Sequence, residues 1–252
     1  MGRRDSYEPG VPCWADVSVD DLEAGRAFYA DLFGWVPDIS DVPDAGGYTN
    51  FLLDGLTVAG LGPKMGGPMP DAWSVAVATD DVARSLAVAA DAGGEVVAGP
   101  ADIPTKGTFG MVADPNGAFI GLWKATGHIG AQIVNDPNTF VWNELATPDV
   151  DVSAAFYSTL FGWQLQEHDG GGIFTDADGR TLCGVHPAGD GEPPFWTIWF
   201  AVDDCDATVA RVVDAGGQVF MPPNDMSFGR GAVVAAPGGA VFGVGAMTAA
   251  DD

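Results

Sequence analysis

The chain has 252 residues, 47% hydrophobic and 18% charged, with 36 glycines and 18 prolines. That balance is too apolar for disorder, too turn-rich for a helical bundle, and sized for one large or two small strand-rich domains. Thirty-five acidic against ten basic residues give a formal charge of −25, which repels nucleic acid and anionic membrane surfaces and leaves proteins or small molecules, neutral or cationic, as partners.

PCWADVSV reads as a short strand. An Asp-bearing turn follows, then a helix-period stretch in which Leu22, Gly25, Phe28, Tyr29, Leu32 and Phe33 share a face, ending at Gly34. Strand-rich runs come next, and Asp81 opens a second helix carrying Val82, Leu86 and Ala89 that stops near Gly93 and Gly94. The pattern then repeats. Trp14 to Trp35, WADVSVDDLEAGRAFYADLFGW, returns as WNELATPDVDVSAAFYSTLFGW from Trp142 to Trp163. Likewise the segment from Val77 answers the one from Phe200, and ADPNGAFIGL answers AAPGGAVFGV. The chain therefore reads as a tandem duplication joined near Ala125 to Thr139, with domains over residues 1–127 and 128–252. Each half carries the order βαβββ twice. A four-stranded sheet with a helix on one face leaves the other uncovered, so two such sheets pair into a cup lined by alternate strand residues. The fold class is α+β, four βαβββ modules forming two cupped sheets.

Cys13, Cys183 and Cys205 lie far apart without CxxC spacing, and no segment approaches the ~20 apolar residues of a membrane span. Reduced thiols, no structural zinc, no membrane and a cytoplasmic location are the expectations. Searches for GxxxxGK[ST], GxSxG, HExxH and a strand-to-helix GxGxxG find nothing. The Gly-rich stretches KMGGPMP and HDGGG read as loops, either gating the cups or simply flexible.

AFYADLFGW and AFYSTLFGW, the two DD-helix-AGG segments and the closing DPNG and APGG hairpins resemble the vicinal-oxygen-chelate superfamily of glyoxalases, bleomycin-binding proteins and extradiol dioxygenases, in the actinobacterial tandem form. The resemblance spans nearly the whole chain. It implies a divalent ion held by His, Gln or Glu at set strand positions. Counted from the motifs, those positions carry Trp14 and Trp142 on the first strands, Gly60 and Gly184 in mid-half, Ser74 and Thr197, and Gly121 and Gly243 on the closing strands. Indole and glycine supply no ligand. No metal and no other cofactor is therefore expected.

Two residues beyond each Trp, on the same face by the period of two, stand Asp16 and Glu144. A carboxylate beside indole in a desolvated cup has its pKa raised and serves as a general acid or base, whereas one capping a strand end or facing solvent does nothing of the kind. His186 follows Gly184 on the same side and is either a proton-shuttle partner of Glu144 or a hairpin-end histidine. Trp14, Tyr48, Trp73, Trp123, Trp142, Trp199 and Phe228 are the candidate lining residues for a flat ligand, core packing being the alternative role of any tryptophan. Three functions stay open. The first is a metal-independent cyclase, dehydratase or isomerase acting on an aromatic or polycyclic natural product, with Asp16 as acid/base. The second is a protein that sequesters an antibiotic or metabolite, and the third a glyoxalase or dioxygenase with atypical ligands. A monomer or a homodimer fits a tandem chain equally.

Overall fold

The computed structural model describes residues 2–41, 45–64, 70–168 and 170–248, so residues 65–69 of the first Gly-rich loop and Asp169 of the second lie outside the described residues. Four βαβββ modules follow one another. The first is β1 (Pro12–Val19), α1 (Leu22–Phe33), β2 (Val36–Ile39), β3 (Thr49–Leu53) and β4 (Leu56–Pro63). The second is β5 (Ala72–Ala78), α2 (Val82–Asp91), β6 (Glu95–Ile103), β7 (Gly107–Ala113) and β8 (Phe119–Ala125). The third is β9 (Phe140–Thr147), α3 (Val150–Phe161), β10 (Gln164–His168), β11 (Gly171–Thr175) and β12 (Thr181–Pro187). The fourth is β13 (Phe195–Ala201), α4 (Cys205–Asp214), β14 (Gln218–Met226), β15 (Gly229–Ala235) and β16 (Val241–Met247).

Each helix starts where an aspartate accepts backbone N–H groups of the first turn: Asp21 from Glu23 and Ala24, Asp81 from Arg84, Asp149 from Val152 and Asp204 from Ala207. Gly34 (φ 70°) and Gly162 (φ 76°) end α1 and α3 in the left-handed conformation.

Modules pair within each half to give two eight-stranded sheets, ordered β2-β3-β4-β1-β5-β8-β7-β6 and β10-β11-β12-β9-β13-β16-β15-β14. The seam is antiparallel, β1 on β5 and β9 on β13, flanked by parallel pairs. The helices cover one face of each sheet. On that face α1 approaches so closely that a Cβ on Gly25 would stand 2.9 Å from Leu61 Cδ1 and 3.3 Å from Val19 Cγ2.

The two helix-bearing faces pack on each other through an aromatic layer. Phe33 meets Phe200 at 5.1 Å between ring centroids, Trp73 meets Tyr29 at 5.1 Å and Phe200 at 5.0 Å, and Phe242 lies 6.1 Å from Tyr29. Trp73, expected to line a cup, therefore belongs to this inter-domain core, while its neighbour Ser74 points the other way. Residues 126–134 run back over the first sheet: Ala131 N–H bonds Cys13 O at 2.9 Å, and Gln132 N–H bonds Thr57 O at 2.7 Å.

A second inter-domain tie joins the DPNG turn to α3. Asp114, 3% exposed, accepts from the backbone N–H groups of Asn116 (2.9 Å) and Ala118 (3.0 Å), from Ser153 Oγ (3.0 Å) and from Tyr157 OH (3.2 Å). In the repeat the corresponding residue is Ala236, and the buried Tyr29 hydroxyl, counterpart of Tyr157, makes no hydrogen bond. Removing a donor from a buried carboxylate is costly, whereas removing an unpartnered hydroxyl is not. Tyr157→Phe should therefore lower unfolding free energy by roughly 1–2 kcal/mol, and Tyr29→Phe should leave it unchanged or raise it, as read by urea denaturation.

Candidate active site

The helix-free faces form the two cups. In the first, Trp14 and Asp16 on β1, Ser74 and Ala76 on β5, Gly60 on β4, and Gly121 and Trp123 on β8 share the face, as strand alternation and register require. The register corrects one expectation. Asp16, not Trp14, stands opposite both Gly60 and Ser74, while Trp14 stands opposite Ala76, itself paired with Gly121. A carboxylate thus occupies the row that counting back from the motif assigned to indole.

Asp16 is partly buried and held by hydroxyls. Ser74 Oγ donates to Oδ1 at 2.6 Å and Tyr48 OH donates to Oδ2 at 3.4 Å, while Trp14 Nε1–H donates to Tyr48 OH at 2.9 Å. Because the tyrosine oxygen already accepts the indole proton, its own proton is directed at Asp16. Burial pushes the Asp16 carboxyl above its ordinary 3.8, against the pull of the Ser74 and Tyr48 hydrogen bonds, and burial beside this carboxylate raises the Tyr48 phenol as well.

Two glycines make room for Tyr48. A side chain at Gly60 would overlap its hydroxyl, and one at Gly62 would come within 2.9 Å of its ring. His128, from the linker, sets its ring edge-on to Trp14 (4.5 Å) and Trp123 (5.8 Å), and Trp123 Nε1–H donates to His128 O at 2.7 Å. Burial, assisted by Lys106, lowers the His128 imidazole to about 4, so the ring is neutral at pH 7.

The second cup repeats the register with different chemistry. Glu144 stands opposite Gly184 and Thr197, and Trp142 opposite Trp199, which pairs with Gly243. Over the Gly184 position Trp142 Nε1 and Glu144 Oε1 converge, at 3.3 and 3.4 Å from where a Cβ would lie. The Trp199 ring lies flat on Gly243, three of its ring atoms overlapping that Cβ position, and Phe228 meets Trp199 edge-on at 5.7 Å and 77°. His186 shares this face, aligned with Ala146 one pleat beyond Glu144, and its Nδ1 contacts Pro187 O at 2.9 Å. Among the described residues no hydrogen bond joins His186 to Glu144.

The structure thus brings Trp14, Asp16, Tyr48 and Trp123 together in one cup, and Trp142, Glu144, His186, Trp199 and Phe228 on the corresponding face of the other. Sequence reasoning gave Ser74 a place only among the metal positions; its role beside Asp16 is visible only through the register that sets the two opposite each other, and His128 lies in an irregular linker that carries no periodic signal.

A sequence profile of the Glyoxalase/Bleomycin resistance protein/Dioxygenase superfamily matches residues 13–122 and 130–244, and the chain belongs to that superfamily. Among curated relatives, CFP32 of Mycobacterium tuberculosis, provisionally named a glyoxylase, is 38% identical over 254 residues and covers 97% of each chain. The anthracycline biosynthesis protein DnrV of Streptomyces peucetius is 35% identical over 260 residues, covering 94% of each. Among solved structures, the Mn(II)-bound glyoxalase of Novosphingobium aromaticivorans superposes with a TM-score of 0.66 at 18% identity, covering 98% of this chain and 83% of that one. That likeness is one of fold.

The residues of this chain do not fit the divalent ion of the metal-dependent relatives. Each cup offers one carboxylate, the glycines facing it, Gly60 and Gly184, lie beneath Tyr48 and Trp142, and no group of three or more His, Cys, Asp or Glu side chains suited to a metal occurs among the described residues.

A carboxyl whose pKa rises on folding binds its proton more tightly in the folded state. Stability from this group therefore falls as pH climbs from 3.8 through the folded value and stays lower above it. The melting temperature of Asp16→Asn relative to the parent should therefore rise as pH climbs from 4 towards 8, in paired thermal melts of the two proteins.

Proposed function

We propose that this protein is a metal-independent enzyme of the superfamily that acts on an aromatic or polycyclic small molecule, with Asp16 as the acid/base group of a cyclisation, dehydration or isomerisation. The observation that carries the reading is the Asp16 carboxyl itself. It is partly buried without a paired cation, raised above its ordinary pKa and ordered by two hydroxyls, an environment that suits a carboxyl to acid/base work. Such chemistry transfers a proton to or from carbon or oxygen and needs no redox partner. Ser74 and Tyr48 hold the carboxylate when the proton has left, and Trp14 fixes the orientation of Tyr48.

The aromatic surfaces of both cups support the ligand class, as does kinship with an anthracycline biosynthesis protein along nearly its whole length. The −25 charge disfavours nucleic acid. No helix among the described residues is long and apolar enough to cross a membrane.

Sequestration of a polycyclic compound is the second reading. It is favoured by the second cup, where Glu144 lacks the hydroxyl donors that order Asp16. The two readings part at Asp16→Asn, assayed for conversion of a panel of anthracyclinones and smaller aromatic polyketides by chromatography and mass spectrometry, with binding followed by calorimetry. Loss of an acid/base group predicts a rate reduced about 10²–10⁴-fold with affinity held within a few-fold. Conversion at the parent rate would remove Asp16 from the chemistry, and binding without conversion by the parent protein would favour sequestration.

A further inference from the structure

We infer that the second cup is a receptor for a protonated amine carried on a flat aromatic ligand, with Glu144 pairing to the ammonium and Trp142 packing against it. The inference rests on the reading that the cups take aromatic ligands and is independent of any chemistry at Asp16.

Glu144 sits on the helix-free face of β9, partly buried, with no hydrogen bond or ion pair to any described residue. The two groups that order Asp16 in the first cup have no equivalent here. Register sets Asn50 opposite Gly60 and Ile173 opposite Gly184, so the counterpart of Tyr48, two residues before Asn50, is Gly171. Thr197 replaces Ser74 without bonding the carboxylate. A partly buried carboxylate left without donors is costly unless a ligand supplies them.

The surroundings select the kind of donor. The Trp142 indole and the Glu144 carboxylate converge over Gly184, where a ligand group can touch both. Trp142 and Trp199 are direct register partners, and Phe228 stands edge-on to Trp199. An indole and an unpaired carboxylate side by side attract a desolvated cation through ring face and charge together. On the cup side of the four central strands, β12, β9, β13 and β16, the one other ionisable side chain is His186, whose Nδ1 is turned to Pro187 O. Arg180 pairs with Glu8 and Asp176, and Arg230 with Asp206 and Asp225, while Arg4, which shares a hollow with Phe140, Trp142 and Leu182, donates to Arg3 O. No described base pairs with Glu144, which leaves its carboxylate for a cationic ligand.

The test is calorimetric titration of the full chain with 9-aminoacridine, a flat tricyclic cation, and with anthraquinone-2-sulfonate, a flat tricyclic anion. Because the net charge alone favours the cation, Asp91→Asn on the exposed end of α2 serves as the equal-charge control. The parent and Asp91→Asn should bind the cation alike and the anion more weakly. Glu144→Gln should weaken the cation about tenfold with the anion unchanged or improved, and Trp142→Leu should weaken the cation comparably, folding of each being checked by thermal melt. Equal cation affinity in parent, Glu144→Gln and Trp142→Leu would overturn the inference while leaving the aromatic-ligand reading in place. Failure of the parent to bind either tricycle would overturn both.

Discussion

A βαβββ module owns one helix, and one helix covers one face of a four-stranded sheet. The chain meets that constraint by burying its two helix-bearing faces against each other through Tyr29, Phe33, Trp73, Phe200 and Phe242. Once those faces are spent on the domain interface, the remaining sheet surfaces are the helix-free cups. Every strand residue then falls to one of two fates by parity. Trp73 stabilises the interface and Ser74, one step on, serves the cup, although nothing about tryptophan or serine themselves would decide it.

Glycine and aromatic side chains are reciprocal across the cup floors. Gly60 lets the Tyr48 hydroxyl lie over β4, and Gly243 lets the Trp199 indole lie flat over β16. The same type of residue thus opens the cup floors to aromatic side chains, which makes them apolar. In such a floor a lone carboxylate gains influence, since its charge is poorly solvated and its proton is held more tightly. Asp16 shows the effect directly, buried among Trp14, Tyr48 and Ser74 with no cation at hand.

Much of this was legible in the sequence. Helix faces such as Val82, Leu86 and Ala89, all buried in α2, follow from a 3.6-residue period. The duplication follows from two long aromatic motifs, and the placing of Asp16 and Glu144 on the Trp face follows from a period of two. What sequence periodicity lacks is the phase between strands. Counting from AFY put Trp14 in the Gly60 row because register is a property of the pair, set here by the β1–β4 and β1–β5 ladders. Trp73 failed for a related reason, since alternation states that neighbours oppose each other without stating which one meets the helix. The place of Tyr48 beside Asp16 depends on the hole above Gly60, which exists only once two strands are side by side. His128 was out of reach of any periodic argument because it is placed by the path of a linker.

A homodimer of single domains would carry two identical cups, because symmetry forces each change on both copies. A tandem chain has no such obligation, and here the copies have separated residue by residue. Asp114 ties one turn to α3 while Ala236 leaves Tyr29 unbonded. Tyr48 and Ser74 order one carboxylate, while Gly171 and Thr197 leave the other without donors. The linker brings His128 to the first cup, between Trp14 and Trp123. The carboxylates are kept in both cups and their surroundings are not. An acid whose proton is governed by neighbouring hydroxyls suits proton transfer, and an acid beside bare indole suits recognition of positive charge. A duplication that keeps its fold and lets the side chains around each carboxylate diverge gives each half the means to take its own role, as the proposed reading assigns them.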